Sequence, residues 1–359
     1  MASAGGTADN AIHTGARGVR RRWIPGGKGI TVGLAFLLAA VLLYYSLRGI
    51  EWREVARIVA AAKLRYLGLA VVVSTGTLLL RALRWRILLN AHGAVDLPTV
   101  FWATAAGYFG NSFLPARAGE LVRTVLVSSR STLDNAYVLA TALSERVADA
   151  VALVAITALV LLTLPVRPGW LASAAMPFAI VALLGVSLIA VLPWLESSVR
   201  TLLERAPLPQ AVRPTLMTAM EQGLRGIRAF HDPKRLLGFV ALTIVIWTLD
   251  ALGTVIGGAA LGLSIPISVA FLLIASLGLG SALPSTPGYV GIYQFVAVTV
   301  LTPFGFSRAD AIAYILVAQA LSYILVGFWG SLGLWRYRRS GLSVAAEAMP
   351  FPSEVNRSK

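Results

Sequence analysis

The sequence predicts an all-α integral membrane protein, an inverted-topology repeat whose halves each hold two spans, a re-entrant helical hairpin and one further span. Three observations predict it. Apolar residues fill 57 % of the 359 positions and charged residues only 13 %, against about 45–50 % and 25 % in soluble domains; mean hydropathy is +0.76. Several windows of about 20 residues are almost free of charge, long enough to cross about 30 Å of hydrocarbon at 1.5 Å per residue. Two short segments also look alike. Asn111-Ser112-Phe113-Leu114-Pro115-Ala116-Arg117-Ala118-Gly119-Glu120 and Gly280-Ser281-Ala282-Leu283-Pro284-Ser285-Thr286-Pro287-Gly288-Tyr289 share Ser, Leu, Pro and Gly at a constant offset of 169. Paired Pro/Gly breaks at corresponding places in two apolar halves are a pointer to a transporter's binding site.

The elements follow in order. Residues 1–29 are Gly/Ala-rich and basic and read as a disordered cytoplasmic tail. Arg20-Arg21-Arg22 precedes the first apolar run, but Leu43-Tyr44-Tyr45-Ser46-Leu47 offers no small-residue cleavage site, so an uncleaved span is expected. The first membrane half, 30–163, has spans at 30–47, 66–86 and 135–163 and a broken stretch at 98–130. The second, 171–335, has spans at 171–194, 236–262 and 309–335, a connector at 196–235 and a broken stretch at 266–303. Residues 340–359 read as a second disordered cytoplasmic tail.

Orientation follows from the basic residues near the span ends. The N-terminal tail, the connector (Arg200, Arg205, Arg213, Arg225, Arg228) and Arg336, Arg338 and Arg339 all belong on the cytoplasmic face of a plasma membrane, with both termini inside. The net charge of +15 then suits an anionic lipid surface rather than nucleic acid. With 135–163 and 236–262 both running outward, 98–130 must enter and leave on the inside, and 266–303 on the outside. One loop runs against this scheme. Residues 48–65 should be outside, yet carry Arg48, Arg53, Arg57, Lys63 and Arg65 against Glu51 and Glu54, and read as an interfacial amphipathic helix. Leu216, Met220, Leu224 and Ile227 at helical spacing make 213–230 either a helix on the inner surface or an ordinary connector.

Bare backbone cannot sit in lipid, so each broken hairpin must be shielded by protein or line a wet cavity. In the first, the break at Pro115 precedes a helix whose N-terminal amides would attract an anion. Arg117, Glu120 and Arg123 share one face, so Glu120 can pair with either Arg, and Arg117 is the candidate to hold a phosphate. The second offers Pro284, Ser285, Pro287, Gly288, Gly291, Tyr293 and Gln294, without charge: either amide dipoles and hydroxyls for a midplane site, or a structural closure. Glu145, Arg146 and Asp149 lie within a span, where charge is costly and is paired or functional. Asp250 is near the centre of its span, either paired with Arg81 or Arg84 or in contact with substrate. Arg84-Trp85-Arg86 and Trp335-Arg336-Tyr337-Arg338 read chiefly as aromatic and basic anchors at the inner interface. There is no Cys, and His13, His92 and His231 lack metal-ligand spacing. Neither metal nor cofactor is expected.

Arg81-x-x-Arg84-Trp85, Asn111-x-x-Leu114-Pro115-Ala116-Arg117-x-Gly119-Glu120, Glu145-Arg146-x-x-Asp149 and Pro284-x-x-Pro287-Gly288-x-x-Gly291 occur in that order. Together they resemble the transmembrane, flippase-like region of lysylphosphatidylglycerol synthases and its stand-alone relatives, over about 30 to 340. The resemblance implies translocation of an anionic phospholipid or polyprenyl-phosphate-type lipid between leaflets. Many relatives read Pro-Gly-Gly and end that motif with Glu, where this chain has Tyr289 and Gln294, so no carboxylate role is expected at the second hairpin. Only about 20 polar residues follow Arg339, so lipid aminoacylation by this chain is not expected, and neither is enzyme activity. The implied partner is a membrane phospholipid or lipid-linked substrate. Two rivals stand beside this reading: a membrane-embedded transferase or hydrolase using Glu145 and Asp149 as acid and base, and a non-transporting accessory of a lipid-synthesising enzyme.

Overall fold

The computed structural model describes residues 27–114, 118–163, 213–281 and 287–339, with a few isolated positions between 176 and 205. Among these residues every regular element is helical. In chain order they are α1 (Gly27–Leu47), α2 (Trp52–Ala60), α3 (Leu64–Leu89), α4 (Leu97–Phe113), α5 (Gly119–Ser128), α6 (Asn135–Thr163), α7 (Arg213–Arg228), α8 (Pro233–Ala260), α9 (Ile267–Gly280), α10 (Ile292–Leu301) and α11 (Arg308–Arg339). Of the described helices, α3, α8 and α11 are long and apolar enough to cross a membrane. The expected span at 171–194 and the breaks at 115–117 and 282–286 lie outside the described residues.

The helices begin where polar caps stand ready. Asp96 accepts from Thr99 N at 3.0 Å, with Pro98 in the first turn of α4. Asp232 accepts from Lys234 N (2.9 Å) and Arg235 N (3.3 Å), starting α8. The backbone amides of Arg235 and Lys234 hold its carboxyl below the usual aspartate range. Such caps lie outside the apolar stretches, so α8 starts three residues before the apolar run that hydropathy alone delimits. The segment 48–65 contains the short amphipathic α2, with Val55 buried toward α11. Helix α7 runs along α6, with Leu224 buried and Gly226 against Ala140.

α3 and α8 lie side by side and antiparallel: Lys63 N donates to Ala260 O at 2.8 Å, Val73 meets Gly253 and Ile87 meets Gly238. The remaining contacts come in matched pairs. α4 packs on α5 as α9 packs on α10. α6 packs on α9 and α7, as α11 packs on α4 and α2. One apolar cluster gathers Trp85, Leu89, Val100 and Tyr137 with Tyr337 of α11. Another gathers Leu272, Leu301 and Ile312 with Val55 of α2 and Val160 of α6. Each half thus completes the other's core. Meanwhile Val72, Leu237, Ile244 and Ile324 stand fully outward, an apolar exterior that suits lipid and not water.

The interfacial-anchor reading needs correcting at Arg84 and Trp85 of the first site and at Tyr337 of the second. Arg84 is 1 % exposed and Trp85 fully buried, because α3 continues to Leu89 and its last turns pack against α6 and α8. Trp85 Nε1 donates to Thr141 Oγ1 at 3.1 Å. Tyr337 is buried as well, its hydroxyl donating to Thr99 O at 3.0 Å where α11 crosses α4. Only Trp335 of that group keeps an exposed ring.

Candidate functional site

Charge gathers where α3, α5, α6 and α8 meet. Arg84 on α3 is the hub: Nη1 donates to Asp149 Oδ1 (2.7 Å) and Thr243 Oγ1 (3.1 Å), and Nη2 to Glu145 Oε1 (2.9 Å) and Asp149 Oδ2 (3.0 Å). Glu145 and Asp149 stand one turn apart on α6, so one planar guanidinium reaches both. Glu145 also accepts from Arg123 Nη1 at 2.8 Å, tying α6 to α5. Glu120 meets Arg123 Nε at 2.5 Å and Arg146 Nε at 2.8 Å, and Arg81 pairs with Asp250. Four guanidinium groups (Arg81, Arg84, Arg123, Arg146) thus face four carboxylates (Glu120, Glu145, Asp149, Asp250), and the cluster is neutral. Pairing is what allows charge at this depth.

Of its two expected partners Asp250 meets Arg81, while Arg84 goes to α6. Glu120 has Arg123 and Arg146; Arg117 and Pro115 lie outside the described residues, as do Pro284 and Ser285. The N-terminus of α5 is provided for internally: Asn111 Oδ1 accepts from Gly119 N at 3.0 Å, and Asn111 Nδ2 donates to Glu120 Oε1 at 3.3 Å. Glu120 itself occupies the first turn, where the helix dipole favours a carboxylate.

A cavity of about 710 Å³ opens beside this network. Arg81, Glu120, Arg146, Asp149 and Asp250 form its charged wall. Asn111 and Ser112 reach it from the end of α4, and Ser281, Tyr289 and Tyr293 from the second hairpin, so described residues of both hairpins border one space. Arg84, Arg123 and Glu145 stand behind the wall. Arg146 is the loosest of the cations, with its side chain 35 % exposed and Asp149 at 3.8 Å. Tyr108 stacks near both accessible guanidinium groups, 5.9 Å from Arg81 and 5.5 Å from Arg146.

The described part of the second hairpin's turn, from Pro287 to Gln294, is held by hydrogen bonds rather than charge. Gly291 N donates to Gln294 Oε1 (2.7 Å), Gln294 Nε2 to Gln319 Oε1 (2.5 Å), and Gln319 Nε2 to Gly288 O (3.0 Å), where the Tyr323 hydroxyl also bonds. Gly288 takes φ 73°, open to glycine at little cost, just after Pro287 in a short 3-10 turn. Gln294 therefore holds the loop and does not face the cavity, whereas Tyr293 does, stacked on Tyr289 at 4.8 Å. Sequence reasoning missed Tyr108, Thr243, Trp247, Gln319 and Tyr323. A polar Thr243 seven residues before Asp250, two turns along the same face of an apolar helix, was a usable signal; the aromatic residues gave none.

The family model for the lysylphosphatidylglycerol synthase TM region matches residues 30–330. A protein of Haloferax volcanii named glycosyltransferase AglD is 26 % identical over 340 residues, covering 84 % of this chain and 54 % of its own length. The chain thus spans about half of that relative. A UPF0104 membrane protein of Methanothermobacter thermautotrophicus is 22 % identical over 312 residues, covering 83 % of this chain and 91 % of the relative. With the match running through both hairpins and the whole ion-pair network, this chain is a membrane protein that belongs to the lysylphosphatidylglycerol synthase transmembrane-region family.

Proposed function

We propose that the protein translocates an anionic, phosphate-bearing lipid between the leaflets of the plasma membrane, with its head group passing through the central cavity and its chains remaining in lipid. One observation carries the reading: described residues of two hairpins from different halves of the chain and five charged side chains border one cavity. Arg146, partly exposed and held by Glu120 at 2.8 Å, is the residue we assign to meet the phosphate first, and Arg117 keeps its sequence-based assignment as a phosphate holder. Glu120 and Asp149 hold Arg146 in place between passages.

The architecture that goes with this function is the inverted repeat, with both hairpins re-entrant and both termini cytoplasmic. Its support is threefold. The paired residues Arg81 and Asp250 are 169 positions apart, the same offset that relates the two hairpin breaks. α3 and α8, which carry them, are antiparallel neighbours, as a twofold axis in the membrane plane requires. The matched contacts of α6 with α9 and of α11 with α4 follow the same symmetry.

The transferase rival needs Glu145 and Asp149 free as acid and base, yet Arg84 and Arg123 engage both, and Glu145 does not border the cavity. A shared membrane part, rather than a shared transferase activity, fits a relative matched over 54 % of its length. The test is leaflet exchange of head-group-labelled lipids in liposomes holding the purified protein, beside Arg146→Ala. Exchange of one lipid class, lost in the variant, is the expected result. Folded protein that exchanges no anionic lipid, with a transmembrane gradient imposed or absent, would overturn the proposal in favour of an accessory role.

A further inference from the structure

A second cavity, of about 780 Å³, lies between α6 and α8, and its chemistry differs from the first. Val151, Ala155 and Leu159 form one side, and Leu236, Val240 and Ile244 the other. Leu159, Leu236, Val240 and Ile244 are all exposed, so among the described residues the groove is open on its outer, apolar side. Along α8 it runs from Leu236 to Thr248, about 18 Å at 1.5 Å per residue. That is comparable with one leaflet's share, about 15 Å, of the hydrocarbon core.

Trp247 is the residue common to the linings of the groove and the central cavity. It is 9 % exposed, and its Nε1 has no hydrogen-bond partner among the described residues. A buried indole N–H ordinarily finds an acceptor. Here the donor stands between a polar chamber and an apolar groove, where a lipid's ester linkage would come to lie if its head were in one and its chain in the other.

The opposite half carries a smaller counterpart. A cavity of about 180 Å³ between α3, α8 and α11 is lined by Leu67, Ala70 and Ser74, which precede the groove residues Leu236, Phe239 and Thr243 by 169 positions each. It shares Asp250, Thr254 and Ser322 with the central cavity. Each half therefore gives the central chamber one neighbouring cavity at equivalent helix positions, wide in one half and contracted in the other.

We propose that the α6–α8 groove binds one acyl chain of an ester-linked glycerophospholipid, whose ester carbonyl accepts from Trp247 Nε1. The placement of the head group rests on the translocation reading; the chain site stands on the groove itself. An acylated glycerolipid carries a carbonyl beside its chain as well as a phosphate, whereas in a prenyl phosphate the only acceptors are phosphate oxygens. With the phosphate on Arg81 and Arg146 of the chamber, only the acylated lipid leaves an acceptor for Trp247.

The test uses the full chain in liposomes containing phosphatidylglycerol with a diazirine midway along one acyl chain, followed by irradiation and mapping of the cross-links. They should concentrate on 151–159 and 236–248, well above the outward face of α11 around Ile324 and Phe328, and Ala155→Trp should remove the excess. Trp247→Phe removes the donor together with part of the indole, so the ether-linked analogue, which lacks the carbonyl, is the control for the lost volume: the ester lipid's excess over that analogue should fall about fivefold, one hydrogen bond's worth. Because both lipids meet the same altered volume in that variant, the ester-against-ether difference decides the matter even where Ala155→Trp fails to fold. Labelling no greater than on α11, an excess that survives Ala155→Trp, or stronger labelling by a diazirine prenyl phosphate would each overturn the proposal. Leaflet exchange on the same liposomes separates the two claims: exchange without groove labelling refutes the chain site alone, and groove labelling without exchange refutes translocation alone.

Discussion

Arg84 and Arg146 carry the same charge and share one carboxylate, Asp149, yet their surroundings assign them different work. Arg84 is enclosed and makes bonds to Glu145, Asp149 and Thr243, so Arg84→Ala leaves two carboxylates short of their partner in the interior. Breaking a buried pair costs about 3–5 kcal/mol, and a loss of that size should appear in unfolding by denaturing detergent. Arg146→Ala removes a partly exposed group whose carboxylates keep Arg123 and Arg84; its stability cost should be clearly smaller than that of Arg84→Ala, while lipid exchange is lost. Equal destabilisation by the two changes would remove the distinction between scaffold and site. At this scale the sequence was informative about which charges the fold brings together and poor on their partners. Arg84 next to Trp85 and Arg86 has the composition of an interface anchor, and only the packing of α6 and α8 against the end of α3 buries it. The Arg81–Asp250 pair was readable because both lie mid-span, where an unpaired charge has no solvent to reach.

The hairpins are where element geometry is tightest. Gly119 at the start of α5 lies so close to Gly107 O and the Asn111 side chain that an added Cβ has no room. Backbone cannot yield as a flexible side chain can, so Gly119→Ala should separate the arms, lower thermal stability by about 1–3 kcal/mol and stop exchange. Gly76, within α3, has nothing within 4 Å of an added Cβ; Gly76→Ala should leave exchange intact and gain up to about 1 kcal/mol from helix propensity. The cap on α8 has its own pH signature. Because the folded-state pKa of Asp232 is lowered by the amides of Arg235 and Lys234, its contribution is full above the ordinary aspartate range. It fades as pH falls through the folded value. Hydrogen exchange at the first turn of α8 should therefore be flat through neutral pH, with extra opening confined to strongly acidic solution and absent in Asp232→Asn. Both hairpins were legible from their Pro/Gly breaks, α2 from the charge of a loop that should lie outside, and α7 from the spacing of Leu216, Met220, Leu224 and Ile227. The rigid Gln294–Gln319–Gly288 loop was not, since it joins residues of two elements that no local pattern relates.

For the whole molecule, one number links sequence and structure: the 169-residue offset that aligns Pro115 with Pro284 also separates Arg81 from Asp250. Hydrophobicity delimited the helices, but could not say that each half's last helix packs on the other half's hairpin, which is a long-range property of the fold. Absence of Cys makes the topology directly testable. Single cysteines at the exposed loop positions Thr132 and Ser264 should react with an impermeant reagent from opposite sides of the membrane, and reaction from one side would end the inverted repeat. The most direct measurement of the central claim joins the two tips. Ser112 and Ser281 border the cavity from different hairpins, and Ser112→Cys/Ser281→Cys can be bridged by a reducible cross-linker in liposomes. If the head group passes between the tips, leaflet exchange of the labelled lipid should fall to the protein-free rate when they are bridged and return on reduction. Undiminished exchange through fully bridged protein would contradict passage through this cavity.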